Sequence, residues 1–230
     1  MIDVAANWRR VCRDAVRAAE RAGRDPGSVR VIAVSKTQPA ARVEQVIAAG
    51  ARDIGENYVQ EAMQKMRQIT LPVSWHMIGH LQRNKAARAV ELFALIHTLD
   101  SAALGASIAR HAQQRGRRAR VLIEVNVGGE ASKSGIQPAG VSALLAALAG
   151  EAWLEIDGLM VVPPPVDHAE AARPFFRTLR ELRAQLQPRA PANAPLRELS
   201  MGMTDDFTVA IEEGATMVRI GRAIFGERAS

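Results

Sequence analysis

The chain has 230 residues, 48% of them hydrophobic and 23% charged, which is enough for one sizeable core and includes no low-complexity tract. Lys+Arg 30 against Asp+Glu 24 leaves a formal charge of +6, and the single cysteine, Cys12, excludes an intrachain disulfide and a thiolate metal site. No apolar run approaches membrane-spanning length, and Met1-Ile2-Asp3-Val4 opens an amphipathic helix rather than a signal peptide, so the expected setting is soluble and cytoplasmic.

In chain order, Val4, Trp8, Val11, Cys12 and Ala15 mark a leading amphipathic helix. Val31-Ile32-Ala33-Val34-Ser35 then reads as a buried strand that ends at Lys36, with a helix signal at Thr37-Gln38-Pro39. Strand-like runs lie near 30–35, 52–55, 74–78, 94–98, 120–126, 156–161, 196–200 and 216–220. Helical patterns separate them: Val43, Val46 and Ile47 before Gly50, a stripe of Val59, Met63 and Met66, and Leu104 and Ile108 behind a cap at Ser101. Phe175, Phe176, Leu179, Leu182 and Leu186 line a longer helix, and Thr204 is expected to cap one that ends at Gly214. The basic stretch 110–120, with Arg115, Arg117 and Arg118, holds no aromatic residue and reads as a solvated helix end rather than a nucleic-acid surface.

Eight strands alternating with helices predict an α/β fold, a single (β/α)8 TIM barrel over 1–230 with an extra N-terminal helix. A doubly wound sheet is the alternative, but its Gly-rich first turn is absent. In a barrel the strand C-termini form one site. They carry Ser35 and Lys36, Glu56 and Asn57, His80, Asn126, Ser200-Met201-Gly202, and Arg219-Ile220-Gly221-Arg222. His76 reads as an interior histidine, and Asp53, Glu56 and His97 have no metal-demanding spacing.

A buried lysine that ends a strand is either a snorkelling side chain or a lowered-pKa amine able to form a Schiff base with an aldehyde. Loops after strands 7 and 8 commonly hold phosphate, and here Ser200, Gly202 and Gly221 allow close backbone approach while Arg219 and Arg222 add charge. Lysine opposite phosphate suits a phosphorylated aldehyde, and pyridoxal 5′-phosphate fits. Lys133, in the small-residue loop 128–135, reads as either a second ligand contact or a solvated lysine.

Several strings occur in order that carry a family resemblance. They are Ala33-Val34-Ser35-Lys36-Thr37, Gly55-Glu56-Asn57-Tyr58-Val59-Gln60-Glu61, Trp75-His76-Met77-Ile78-Gly79, Leu81-Gln82-Arg83-Asn84-Lys85 and Leu199-Ser200-Met201-Gly202-Met203-Thr204-Asp205-Asp206-Phe207. Together with Met217-Val218-Arg219-Ile220-Gly221 they resemble the pyridoxal phosphate homeostasis proteins, which look like a lone alanine-racemase-type barrel. The resemblance implies pyridoxal 5′-phosphate bound as a Schiff base to Lys36 and Asn57 near its ring. It implies that Ser200, Met201, Gly202, Arg219 and Gly221 hold the phosphate end, with Arg219 alternatively at the pyridine nitrogen, and that Lys133 takes part in cofactor handling. Three positions depart from the family pattern: Gln38 stands where a lysine is often found, His80 replaces a smaller residue and Arg222 a small or hydroxylated one.

The implied function is intracellular carriage and buffering of the cofactor, with delivery to apo-enzymes that depend on it, by a monomer or weak homodimer without membrane or nucleic-acid partners. The alternatives are an amino-acid racemase or decarboxylase, and a phosphosugar barrel enzyme. A racemase needs a second base, and the chain has one tyrosine, Tyr58, placed by its motif after strand 2, and no spare cysteine.

Overall fold

In the computed structural model, which describes residues 2–129 and 134–227, each expected run pairs with its sequence neighbours. The strands are β1 (Arg30–Val34), β2 (Asp53–Glu56), β3 (Ser74–Met77), β4 (Leu95–Leu99), β5 (Ala119–Glu124), β6 (Leu154–Met160), β7 (Glu198–Ser200) and β8 (Met217–Ile220). They close into a parallel barrel in that order, and β8 returns to β1 through Ile32 opposite Arg219. Around it run α1 (Val4–Arg21), α2 (Ala40–Ala48), α3 (Val59–Gln68), α4 (Ala86–Leu92), α5 (Ala102–Gln114), α6 (Val141–Ala147), α7 (Arg173–Leu186), α8 (Phe207–Glu212) and α9 (Arg222–Phe225).

Strand residues alternate between the barrel interior and the layer under the helices. Ile32, Leu95, Leu122, Met160 and Met217 form a small interior cluster of their own. The larger core lies outside the strands, where Val43, Ile54, Ile108, Leu159, Phe176 and Ile220 pack together. Register carries the same parity to polar residues: Asp53 lies opposite Ile32, His76 opposite Leu95, and Ser200 opposite Met160 and Met217. His97 and Glu124 sit two residues beyond the interior Leu95 and Leu122, so the upper half of the barrel interior is polar.

Local chemistry explains most boundaries. Asp3 caps α1 by accepting the Ala6 N–H at 2.8 Å, and Ser101 caps α5 through the Leu104 N–H at 3.4 Å. Cys12 is half-buried against the core, and burial pushes its thiol pKa up. Gly158 has no room for a side chain, because a Cβ there would sit 1.9 Å from the Glu198 carbonyl oxygen. Gly158→Ala is therefore expected to prise β6 from β7 and cost about 2–3 kcal/mol in urea unfolding; an unchanged midpoint would contradict this packing.

Two sequence expectations need correction. The buried column of α3 is Val59, Ala62 and Lys65, with Met63 and Met66 only half-buried. The periodicity was carried by the methionines because a lysine scores as polar, yet Lys65 turns inward to partners described below. The helix near Thr204 starts later, at Phe207, after Asp206, whose carboxylate accepts the Met203 N–H at 2.6 Å. The basic stretch does end α5, and two of its arginines are engaged: Arg115 pairs with Glu91 at 2.9 Å, and Arg117 donates to the Val90 carbonyl at 2.7 Å. Arg120, beyond it on β5, pairs with the fully buried Asp157 at 2.5 Å. No described helix is long and apolar enough to cross a membrane.

Candidate functional site

At the C-terminal mouth of the barrel a cavity of about 680 Å³ opens over the ends of β1 and β8, a volume typical of small-molecule sites. Its wall includes Lys36, Asn57, Ile78, Val162, Met203, Thr204, Arg219 and Gly221. Lys36 follows the interior residue Val34 by two positions, so strand parity directs it to the barrel axis. It sits in a tight turn closed by the Gln38 N–H donating to the Ser35 carbonyl at 3.0 Å.

That turn is strained and braced. Thr37 has φ +65°, a left-handed conformation that a β-branched residue rarely adopts, and its N–H donates to Glu61 at 2.5 Å. The Lys65 ammonium donates to the Ser35 carbonyl at 2.5 Å, to Glu56 at 2.6 Å and to Glu61 at 2.7 Å, which uses all three of its protons. The Ser35 hydroxyl donates to the same Glu56 oxygen at 2.5 Å. Burial outweighs these hydrogen bonds and raises the Glu56 pKa. Backbone groups on both sides of Lys36 are thus tied to one buried cluster behind the barrel wall. Lys65 had no sequence signal of its own beyond its i,i+4 spacing from Glu61.

The floor is Arg219, 4% exposed. It donates to the Ser200 hydroxyl at 2.6 Å and the Val161 carbonyl at 2.7 Å, leaving further N–H groups of its fork to face the cavity. Burial pushes its pKa down to about 10, against the attraction of Glu124 and Asp206.

Glu124, 8% exposed, has an oxygen without a hydrogen-bond partner among the described residues, and burial raises its carboxyl to about 7 despite Arg219. A carboxyl raised in the fold stabilises it fully below its unfolded pKa, and that contribution is lost as pH rises through about 7. Glu124→Gln should therefore match wild type near pH 4.5 and become more stable by up to about 3 kcal/mol at pH 8. Denaturant midpoints across that range measure it, and a pH-independent difference would count against the shift.

Lys36, Asn57, Arg219 and Gly221 come together in the wall as the sequence suggested. Ser200, Met201 and Gly202 do not line it. The Ser200 hydroxyl lies behind Arg219, the Met201 side chain faces the outer core, and Gly202, at φ +92°, would set a Cβ 2.5 Å from that of Ala210. The surface expected there is supplied by Met203 and by Thr204, whose hydroxyl accepts the Ala223 N–H at 3.3 Å. Thr204 was legible only as a helix cap, because its loop position depends on where α8 begins.

Arg222 pairs with Asp205, and at 3.3 Å with Glu227, so it offsets the acidic charge at the rim. Gln38 lines the cavity and accepts from Arg42 at 3.1 Å, while His80 stands 3.6 Å from Asp100 and Tyr58 is 61% exposed, both outside the wall. Lys133 lies outside the described residues. Among the described residues no cluster of histidine, cysteine or carboxylate side chains could hold a metal ion.

A closed parallel barrel with a braced lysine after β1 and a buried arginine at the end of β8 defines an alanine-racemase-like barrel. The family described as "Alanine racemase, N-terminal domain" matches residues 6–229. A pyridoxal phosphate homeostasis protein of Pseudomonas aeruginosa is 43% identical over 99% of this chain and 97% of its own. The structure of PipY of Synechococcus elongatus, with PLP bound, superposes with a TM-score of 0.82 at 41% identity, covering 93% of this chain and 100% of that one. Alanine racemase of Corynebacterium glutamicum shares the fold at 18% identity, with a TM-score of 0.71 over 99% of this chain and 61% of the racemase. The chain belongs to the alanine racemase N-terminal domain family, in its pyridoxal phosphate homeostasis branch.

Proposed function

We propose that the protein binds pyridoxal 5′-phosphate reversibly through Lys36 and serves intracellular homeostasis of that cofactor. The observation that carries this reading is the pairing of a braced, half-buried Lys36 with a buried Arg219 across one cavity of suitable volume. The residues present fit the group: an amine for an aldehyde, a guanidinium with donors to spare, and the Thr204 and Gly221 walls for an anion. Bound there, the cofactor would supply an electrophilic aldehyde carbon.

Lys36 would hold the cofactor through its amine, Arg219 would orient it through its free donors, and Asn57 would contribute a further polar contact from the wall. Met203, Thr204 and Gly221 would hold the phosphate, with the hydroxyl of Ser200 acting through Arg219 rather than directly. Val162, Ile78 and Phe225 would keep water from the cofactor's apolar surface. The described wall offers Asp205 and Glu227 as carboxylates, both engaged by Arg222, and Tyr58 stands outside it. That inventory favours carriage over turnover, since racemisation needs a second base across the ring. Delivery to apo-enzymes in the cytoplasm follows as the use of such a carrier.

The test is the visible spectrum of the purified protein before and after borohydride, with the labelled peptide mapped. A yellow band lost on reduction, with the tag on Lys36, is expected. A protein that added pyridoxal 5′-phosphate leaves colourless would overturn the reading.

A further inference from the structure

The barrel interior holds a second polar feature, set below the residues that line the cavity. Asp53 lies 2.8 Å from His76 Nε2, His76 Nδ1 lies 2.9 Å from His97 Nε2, and His97 Nδ1 lies 2.9 Å from the Ser200 hydroxyl, which accepts from Arg219 at 2.6 Å. The chain runs from the first residue of β2, at the barrel end remote from Lys36, up to the cavity floor. His76, His97 and Ser200 are at most 2% exposed, whereas the Asp53 side chain reaches solvent at 16%.

Chemistry gives the chain one direction. A carboxylate only accepts, so His76 donates through Nε2. With its proton on Nε2, His76 presents Nδ1 as an acceptor, so His97 donates through Nε2 and accepts at Nδ1 from the Ser200 hydroxyl. Ser200 keeps its lone pairs for Arg219, which only donates. The Asp53 end sets this order, and an Arg219 that only donates to Ser200 is compatible with it. Burial, His76, Arg219 and Arg30 all hold the His97 pKa well below its ordinary value, so it stays the neutral link this order needs.

We propose that Asp53, His76 and His97 form a positioning relay that acts through Ser200 to fix the Arg219 guanidinium under the cavity. None of the three lines the cavity. Retention of a ligand above Arg219 then depends on a carboxylate at the opposite end of the barrel. The effect on ligand, though not the order of the chain, rests on the cofactor reading above.

Nitrogen-15 NMR of histidine-labelled protein without cofactor tests the order directly. The proposal expects His97 to carry its proton on Nε2 and His76 Nδ1 to act as an acceptor; a proton on Nδ1 of His97 overturns it. The second measurement is pyridoxal 5′-phosphate affinity of Asp53→Asn and His97→Gln. Asp53→Asn offers an amide that can donate in the wrong sense and should weaken retention about three- to tenfold. His97→Gln, which can still accept from Ser200 and donate to His76, should lose less than His97→Leu. Asp53→Asn with wild-type affinity overturns the relay, and its partly exposed site makes misfolding the lesser risk. A wild type that takes up no cofactor would sink the functional reading while the tautomer measurement still decides the relay.

Discussion

Lys36→Ala is expected to abolish the borohydride-reducible linkage to pyridoxal 5′-phosphate and to weaken its retention about 100-fold or more, while a residual phosphate-dependent affinity persists. A factor of 100 corresponds to about 2.7 kcal/mol, modest for a covalent bond because forming it releases water and orders the side chain. The residual binding comes from Arg219, Thr204 and Gly221, which the substitution leaves in place. Equilibrium dialysis of the variant against pyridoxal 5′-phosphate and against pyridoxal separates the two contributions. A covalent adduct surviving elsewhere in the same cavity would remove Lys36 from its role.

Lys65→Met should be the most destabilising single change in the site, at about 3–5 kcal/mol, because it strands Glu56, whose side chain is fully buried, without its cation. The loss goes beyond stability. The Ser35 carbonyl and Glu61 each lose their charged partner, and Glu61 is what holds the Thr37 N–H in its strained turn. Lys36 should therefore be presented less well, and the rate of its reaction with pyridoxal 5′-phosphate should fall in protein that remains folded. The double variant Glu56→Gln with Lys65→Met removes the stranded charge and should recover about 1–2 kcal/mol. Urea unfolding and stopped-flow absorbance measure the two effects. An unaltered unfolding midpoint for the single variant would mean the cluster bears no part of the turn's strain.

The eight strands and most helix ends were legible along the chain, because strand alternation, the Ser101 cap and the glycine after α2 are local consequences of residue type. Lys36, Asn57, Arg219 and Gly221 were legible as a group because a barrel gathers strand ends on one face, and the first of these was also marked by its motif. Ser200 was assigned to the phosphate through its loop position, yet its hydroxyl points inward. Whether a strand-end side chain faces the cavity or the layer beneath depends on parity within a closed sheet, and a shift of one residue reverses it.

The sequence by itself therefore determined the order of strands and helices, the barrel class and the identity of the lysine at the mouth, since each follows from periodicities of a few residues and short motifs. Only the tertiary structure decided which polar groups meet. Lys65 reaches Glu56 across nine residues, His97 reaches Ser200 across 103, and Arg219 joins them from the last strand. These contacts exist because barrel closure sets β8 against β1 and turns alternate residues inward, into an interior where a polar side chain must find a partner or pay for lost water.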